Sequence, residues 1–321
     1  MRSVASAPGK AILVGEHFVV ENQPAIAVAL NLRARVEVTE SSSSETIIIS
    51  ENLELKESFS KGNINEKSPL YPIYYAKKLT LEHLNLDDYG LKIRISSEIP
   101  PASGMGSSAA VSVATIAAIL KFFNKGLDKE KISKLAYEAE KIVHGRPSGI
   151  DNTISTYGGA IIFRKSEGFI SLKSNFEKIK IILADSGLPR STGEMVRQVL
   201  SLKKKYEKIM EPVYHGAGRL AIEVAKAIEN NDFETMGELM NINHGLLSAI
   251  NVSNKKLEEL VYTARKNGAL GAKITGAGGG GFIIALSYKD RCKMIVEELR
   301  KLSPRVIVCD ISKDGVTIED N

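Results

Sequence analysis

One stretch limits the fold more than any other: Pro100-Pro101-Ala102-Ser103-Gly104-Met105-Gly106-Ser107-Ser108-Ala109-Ala110. Before it, Leu91, Ile93 and Ile95 alternate with Lys92, Arg94 and Ser96, the two-residue period of a strand. After it, residues 111–123 are apolar over a length that suits a helix. The stretch is therefore a Gly/Ser loop joining a strand to a helix N-terminus. Such a terminus offers unpaired backbone N–H groups and the positive end of the helix dipole, and both favour a phosphate. Gly104 and Gly106 let backbone approach an anion with no side chain in the way. Ser107 and Ser108 can cap the helix, or reach a cation bound to the phosphate. The plain alternative is a capped helix after a tight turn. No Gly-Lys-Ser/Thr closes the stretch, so it is not a Walker A loop. Gly104-x-Gly106-x-x-Ala109 matches the dinucleotide pattern by letters, but the next elements read as helices and not as a strand ending in an acid.

Composition narrows the function classes. Of 321 residues, 43% are apolar and 25% charged, an ordinary globular balance of a size for two lobes or one large domain. No run of 18 apolar residues occurs, so no transmembrane helix is expected, and residues 1–8 lack the apolar core of a signal peptide. Cys292 and Cys309 make neither a disulfide framework nor a metal pattern, which favours a reducing cytoplasm. The net charge of +5 is spread along the chain, there is no Trp, and no basic stripe appears. That argues against nucleic acid and suits a small anionic substrate.

Taken in order, the pattern predicts an α+β protein of two lobes. The N-terminal lobe, residues 1–177, is β-rich and carries the phosphate loop and helices. Its strands are expected at 11–14, 25–30, 33–38, 46–50 and 91–96, with Ser41 to Ser44 as a hairpin loop and a helix at 71–84. Helices follow at 107–124 and 128–143, the second capped by Asp128. A Gly/Pro loop then leads into strands at 153–156 and 160–164. The C-terminal lobe, residues 178–321, is helix-rich and packed on an antiparallel sheet. Helices are expected at 193–210, 213–230, 232–247, 254–267 and 289–302, and strands at 179–184, 272–274, 282–286, 305–309 and 316–319.

Four clusters carry candidate chemistry. In Ala7-Pro8-Gly9-Lys10 to Gly15-Glu16-His17, Lys10 can neutralise a phosphate or activate a hydroxyl, and Glu16 and His17 sit at a turn that a substrate can reach. The second cluster is the loop at 100–110. In the third, from Glu140 to Asn152, Asp151 follows the tight Ser148-Gly149 turn and can accept a hydroxyl proton or orient that hydroxyl. Glu140 with Ser108 offers hard oxygen ligands for Mg²⁺. The plain alternatives are charged strand ends, a helix-capping Asp151 and a surface Glu140. The fourth cluster, Lys273-Ile274-Thr275-Gly276-Ala277-Gly278-Gly279-Gly280-Gly281, precedes a strand and so fails the dinucleotide context. It reads as a Gly-rich turn whose backbone can approach a substrate or phosphate.

In this order the clusters resemble the family of small-molecule kinases that includes galactokinase, homoserine kinase, mevalonate kinase and phosphomevalonate kinase. The resemblance spans nearly the whole chain. Its most specific signal is His144-Gly145-Arg146-Pro147-Ser148-Gly149-Ile150-Asp151-Asn152, and Asp185-Ser186-Gly187-Leu188-Pro189-Arg190-Ser191-Thr192 also resembles a family segment. The resemblance implies an active site in the cleft between the lobes. It implies ATP phosphates held by Pro101, Ala102, Ser103, Gly104, Met105, Gly106, Ser107, Ser108 and Ala109, with Gly276, Ala277 and Gly278 lining the site. It further implies that Ser108 and Glu140 hold Mg²⁺ and that Asp151 and Lys10 are catalytic. It likewise implies that Glu16, His17 and Thr275 contact the substrate. Within the family the Gly15-Glu16-His17-Phe18 segment is most similar to the mevalonate-phosphorylating form, which implies ATP-dependent phosphorylation of mevalonate at its C5 hydroxyl, and the family as a whole implies a possible homodimer. A kinase for phosphomevalonate, another mevalonate hydroxyl or a sugar stays open, as does a ligand sensor on the same scaffold. One departure is Pro-Pro-Ala-Ser-Gly-Met-Gly, where many relatives have Gly-Ala-Gly-Leu-Gly; Ala102 and Ser103 are still small.

Overall fold

The computed structural model describes residues 1–60, 62–101, 103–144, 147–189 and 191–319. Ala102 of the phosphate loop, Gly145 and Arg146 of the third cluster, and Arg190 lie outside the described residues. The elements are β1 (Arg2–Val14), β2 (Ala25–Glu40), β3 (Thr46–Ser50), β4 (Leu55–Phe59), α1 (Tyr71–His83), β5 (Leu91–Ser97), α2 (Ser107–Phe122), α3 (Lys129–His144) and α4 (Ile150–Tyr157). Then come β6 (Ala160–Arg164), β7 (Gly168–Leu172), β8 (Ile179–Asp185), α5 (Thr192–Lys205), α6 (Glu207–Glu229), α7 (Phe233–Ala249) and α8 (Lys255–Lys266). The chain closes with β9 (Gly271–Ile274), β10 (Phe282–Tyr288), α9 (Cys292–Arg300), β11 (Val306–Cys309) and β12 (Thr317–Ile318).

The chain forms two compact units that interleave in sequence. Unit 1 is Met1–Lys10, Asn31–Gly158 and Lys313–Asn321; unit 2 is Ala11–Leu30 and Gly159–Ser312. The sequence pattern predicts a single boundary between residues 177 and 178. Each of the long strands β1 and β2 contributes to both units, which no local pattern announces.

In unit 1 the strand order is β12-β1-β2-β5-β3-β4. Along β2, Ala34, Val36 and Val38 are buried and alternate with half-exposed Arg35 and Glu37, so one face takes the core. β2 and β5 pair antiparallel, Val36 opposite Ile95, and β5 pairs parallel with β3, Ile48 opposite Ile93. The 41–44 segment therefore closes no hairpin, because β5 lies between β2 and β3. A parallel pair needs a long crossover, and helix α1 lies on that path. Helix α2 is buried along almost its whole length, from Ala109 to Phe122, and packs on α1, α3 and α4. Such all-round burial is what a nearly uniform apolar helix requires. As expected, Asp128 caps α3 through its Oδ1, which accepts the Lys131 N–H at 3.2 Å.

Residues 153–156 form part of α4, not a strand. Gly149 caps this helix in a left-handed conformation, and the Thr153 and Thr156 hydroxyls donate back to Gly149 O and Asn152 O at 2.7 Å each. β-Branched residues read as strand by propensity, and tertiary contacts override that here. Strands β4 and β7 have no clear signal, since charged or exposed residues dominate both.

Unit 2 holds an antiparallel sheet of order β11-β8-β10-β9, with Ile283 opposite both Ala184 and Ile274. Its core joins Phe18, Ile182, Tyr214, Leu247, Leu257, Leu260, Ile274, Ile283 and Ile295. The first half of β2 pairs with β6 in the same unit, Ala25 opposite Phe163. The break between α5 and α6 falls at Tyr206, and Pro212 sits inside α6. No helix among the described residues is long and apolar enough to cross a membrane.

Candidate active site

Unit 1 gathers the phosphate loop, Lys10, Glu140 and Asp151. Lys10 leaves β1 with its N–H donating to Met105 O at 2.8 Å, so strand and loop are pinned together. Its Nζ lies 3.1 Å from Asp151 Oδ1, with the lysine almost wholly buried and the aspartate a quarter exposed. Asp151 stands in the first turn of α4, where a carboxylate meets the positive end of the helix dipole. Gly106 caps α2 at φ 70°; a Cβ there would lie 2.9 Å from Lys10 Cγ and 3.7 Å from Asp151 Oδ2. Only glycine combines that backbone conformation with that closeness.

Ser107 and Ser108 begin α2 but do not cap it through a hydroxyl; the chain turns into the helix through Gly106. Ser108 is exposed and Ser107 half-buried, so both remain available. Ser103 is buried, and its Oγ accepts the Met105 N–H at 3.3 Å, stiffening the loop. Gly104 and Pro101 are exposed, while Met105 and Ala109 face inward.

Glu140, on α3, is 8% exposed, and its Oε2 has no hydrogen-bond partner. Burial, and then the Asp151 charge, push its pKa up to about 8, and Lys10 opposes them. A buried carboxylate oxygen left unpaired beside a second carboxylate fits a divalent cation with hard oxygen ligands. Among the described residues no group of three His, Cys, Asp or Glu forms a metal cluster by itself.

Unit 2 gathers Glu16, His17, Thr275 and the glycine run. Glu16 is 2% exposed and forms an ion pair with the fully buried Lys273. Burial lowers the Lys273 pKa, and Glu16 opposes that. Glu16 Oε2 accepts from Asn243 Nδ2 at 3.3 Å, and Asn243 Oδ1 accepts the Gly15 N–H at 3.4 Å. Removing one member of a buried pair like this costs about 3–5 kcal/mol, because it strands a charge. The sequence reading left Lys273 and Asn243 without roles. A lysine inside the apolar strand β9 is the one signal that could have been used; Asn243, 227 residues from Glu16, gives none.

His17 Nε2 lies 2.8 Å from Ala277 O and so carries the proton, leaving Nδ1 as an acceptor in the neutral ring. Burial lowers its pKa from 6.5, against the Ala277 bond and the Glu16 charge. The unfolded chain then binds a proton more readily, so stability present above pH 6.5 is lost as pH falls towards the folded pKa. His17→Asn keeps a side chain that tolerates positive φ. It should lose less stability than the wild type between about pH 7.5 and about pH 5.5 in urea melts. Equal losses in the two proteins would show that the buried ring charges freely.

Thr275 Oγ1 donates to Ile12 O at 3.4 Å. The glycine run is packed against its own unit. Gly279 N–H donates to Val252 O at 2.8 Å, Asn254 Nδ2 donates to Gly279 O at 3.0 Å, and Gly281 N–H donates to Leu188 O at 3.1 Å. Close approach here is to protein backbone as well as to any ligand.

A lysine–aspartate pair beside a glycine-pinned helix N-terminus has the charge and the backbone donors that phosphoryl transfer requires. The family models described as "GHMP kinases N terminal domain" and "GHMP kinases C terminal" match residues 72–159 and 224–304, and the chain belongs to the GHMP kinases. Within that family it is 39% identical to a mevalonate kinase of Pyrococcus furiosus, over 100% of this chain and 99% of the relative. It is 40% identical to a mevalonate kinase of Thermococcus gammatolerans with the same coverage. Among solved structures, the Methanococcus jannaschii mevalonate kinase superposes with a TM-score of 0.86 at 33% identity, covering 96% of this chain and 98% of that one. The L. major mevalonate kinase in complex with R-mevalonate gives 0.80 at 30% identity, covering 95% and 94%.

Proposed function

We propose that the chain is an ATP-dependent kinase that phosphorylates the C5 hydroxyl of mevalonate. The observation that carries this reading is the Lys10–Asp151 pair at 3.1 Å, set against Gly106 at the start of α2. The full-length likeness to mevalonate kinases supports the choice of substrate.

Phosphoryl transfer needs in-line positioning and neutralised charge more than covalent help. The backbone N–H groups from Gly104 to Ser108, at the positive end of α2, take the ATP phosphates. Asp151 receives or orients the proton of the attacking hydroxyl, and Lys10 balances charge beside it. Ser108 and Glu140 would hold Mg²⁺, which would supply neutralisation of phosphate charge. Glu16, His17 and Thr275 bind the alcohol substrate, and Gly276, Ala277 and Gly278 belong with the ATP-binding residues. A neutral His17 accepts a hydroxyl hydrogen through its second nitrogen. A cytoplasmic location and a homodimeric state belong to the same reading.

The test is ATP consumption by the purified chain with and without Mg²⁺, offered mevalonate, 5-phosphomevalonate, galactose and homoserine in parallel, with NMR of the product. A 5-phosphate of mevalonate, formed only with Mg²⁺, is the expected result. Turnover of another alcohol alone would keep the site roles and sink the substrate. ATP binding without turnover on any alcohol would mean a sensor.

A further inference from the structure

The turn Glu16-His17-Phe18 holds backbone strain inside unit 2. His17 has φ 59° and ψ −45°, and the Phe18 N–H donates across it to Glu16 O at 2.6 Å. This is a γ-turn of the rare, strained hand, and such strain persists only where the surroundings over-determine it. Those surroundings are specific. One Glu16 oxygen accepts from Lys273 Nζ and the other from Asn243 Nδ2, while Asn243 Oδ1 accepts the Gly15 N–H. Lys273 and Asn243 are both 0% exposed, so neither meets solvent. Lys273 also donates to Ile274 O, which fixes its ammonium against strand β9.

A lone carboxylate at this turn would repel an anionic substrate. Paired with Lys273 it is an oriented anchor without net charge. We infer that Lys273 and Asn243 are positioning residues for alcohol binding: they clamp Glu16 and thereby hold the strained His17 turn in its binding geometry. The inference rests on the proposed function, which takes Glu16 and His17 as contacts to the alcohol.

Asn243→Ser removes the amide bridge and leaves the ion pair. Lys273→Gln replaces the ammonium by a neutral donor and leaves Glu16 in place. Both are measured as full chains for KM of the alcohol, KM of ATP and kcat, and by NMR of ¹⁵N-labelled histidine rings. The alcohol is whichever one the wild type phosphorylates. Each variant should raise the alcohol KM about tenfold or more while the ATP KM stays within about twofold. The His17 ring signal, assigned with His17→Asn, should shift, and those of His83 and His215 should not. Equal rises in both KM values, an unchanged alcohol KM, or an unmoved His17 ring would overturn the inference. Should the wild type phosphorylate no alcohol, the proposed function fails by itself, and the His17 ring still decides whether the clamp holds the turn.

Discussion

Asp151→Asn should lower kcat by about 10²–10⁴-fold while ATP affinity stays within roughly twofold of the wild type. The substitution keeps the size of the side chain and its place in the first turn of α4. It removes the acceptor charge that sits 3.1 Å from Lys10 Nζ. An amide can neither take the hydroxyl proton nor balance the buried ammonium. The expected loss is therefore in the chemical step and not in nucleotide binding, which the proposed reading assigns to backbone N–H groups of residues 104–108. Stranding Lys10 also costs some stability, so the melting temperature must be followed in parallel. Adding Lys10→Met removes the stranded cation. Recovered stability in the double variant shows that the stability lost in Asp151→Asn came from the unpaired ammonium, while kcat is read from Asp151→Asn alone because Lys10 belongs to the same proposed catalytic pair. Normal turnover in Asp151→Asn would remove it from the mechanism.

Gly278→Ala should be among the most destabilising single changes in unit 2, by about 3 kcal/mol or more. Gly278 has φ 73°, and a Cβ there would overlap Val252 O and lie 2.8 Å from Val252 Cβ. The obstacle is backbone, and the Gly279 N–H bond to that same carbonyl prevents it from moving aside. On the usual scaling for a chain of 321 residues this is a fall of roughly 4–5 °C in melting temperature. Gly216, on α6 with open space around its Cβ position, is the matched control: there alanine should raise stability by about 0.5–1 kcal/mol. Similar melting temperatures for the two variants would mean that the run from Gly276 to Gly281 is not held by packing. A loss of activity in a fully stable Gly278→Ala would instead point to backbone–ligand contact.

How much of this was legible depended on where each signal lay. The loop at 100–110 was readable because strand period, glycines and apolar helix sit side by side. Its cap was misread, since Gly106 in a positive-φ conformation, not a serine hydroxyl, turns the chain into α2. Asp151 and Glu140 stood out as carboxylates in odd places. That Glu140 is buried with an unpaired oxygen is a fact of how α3 packs on α2 and α4. The strand expected at 153–156 failed because β-branched composition outweighed a left-handed glycine cap that only the fold reveals.

Reading along the chain suffices for most kinds of element, 153–156 excepted, and for which side chains carry charge near glycine turns. These are set by local periodicity and by residue chemistry, which act over a few residues. The partners come from the folded chain. Lys273 reaches Glu16 across 257 residues, Asn243 reaches it across 227, and β5 inserts between β2 and β3. Such pairings follow from burial: a buried charge or amide must find a complement wherever the chain has folded it, and sequence spacing does not encode that distance.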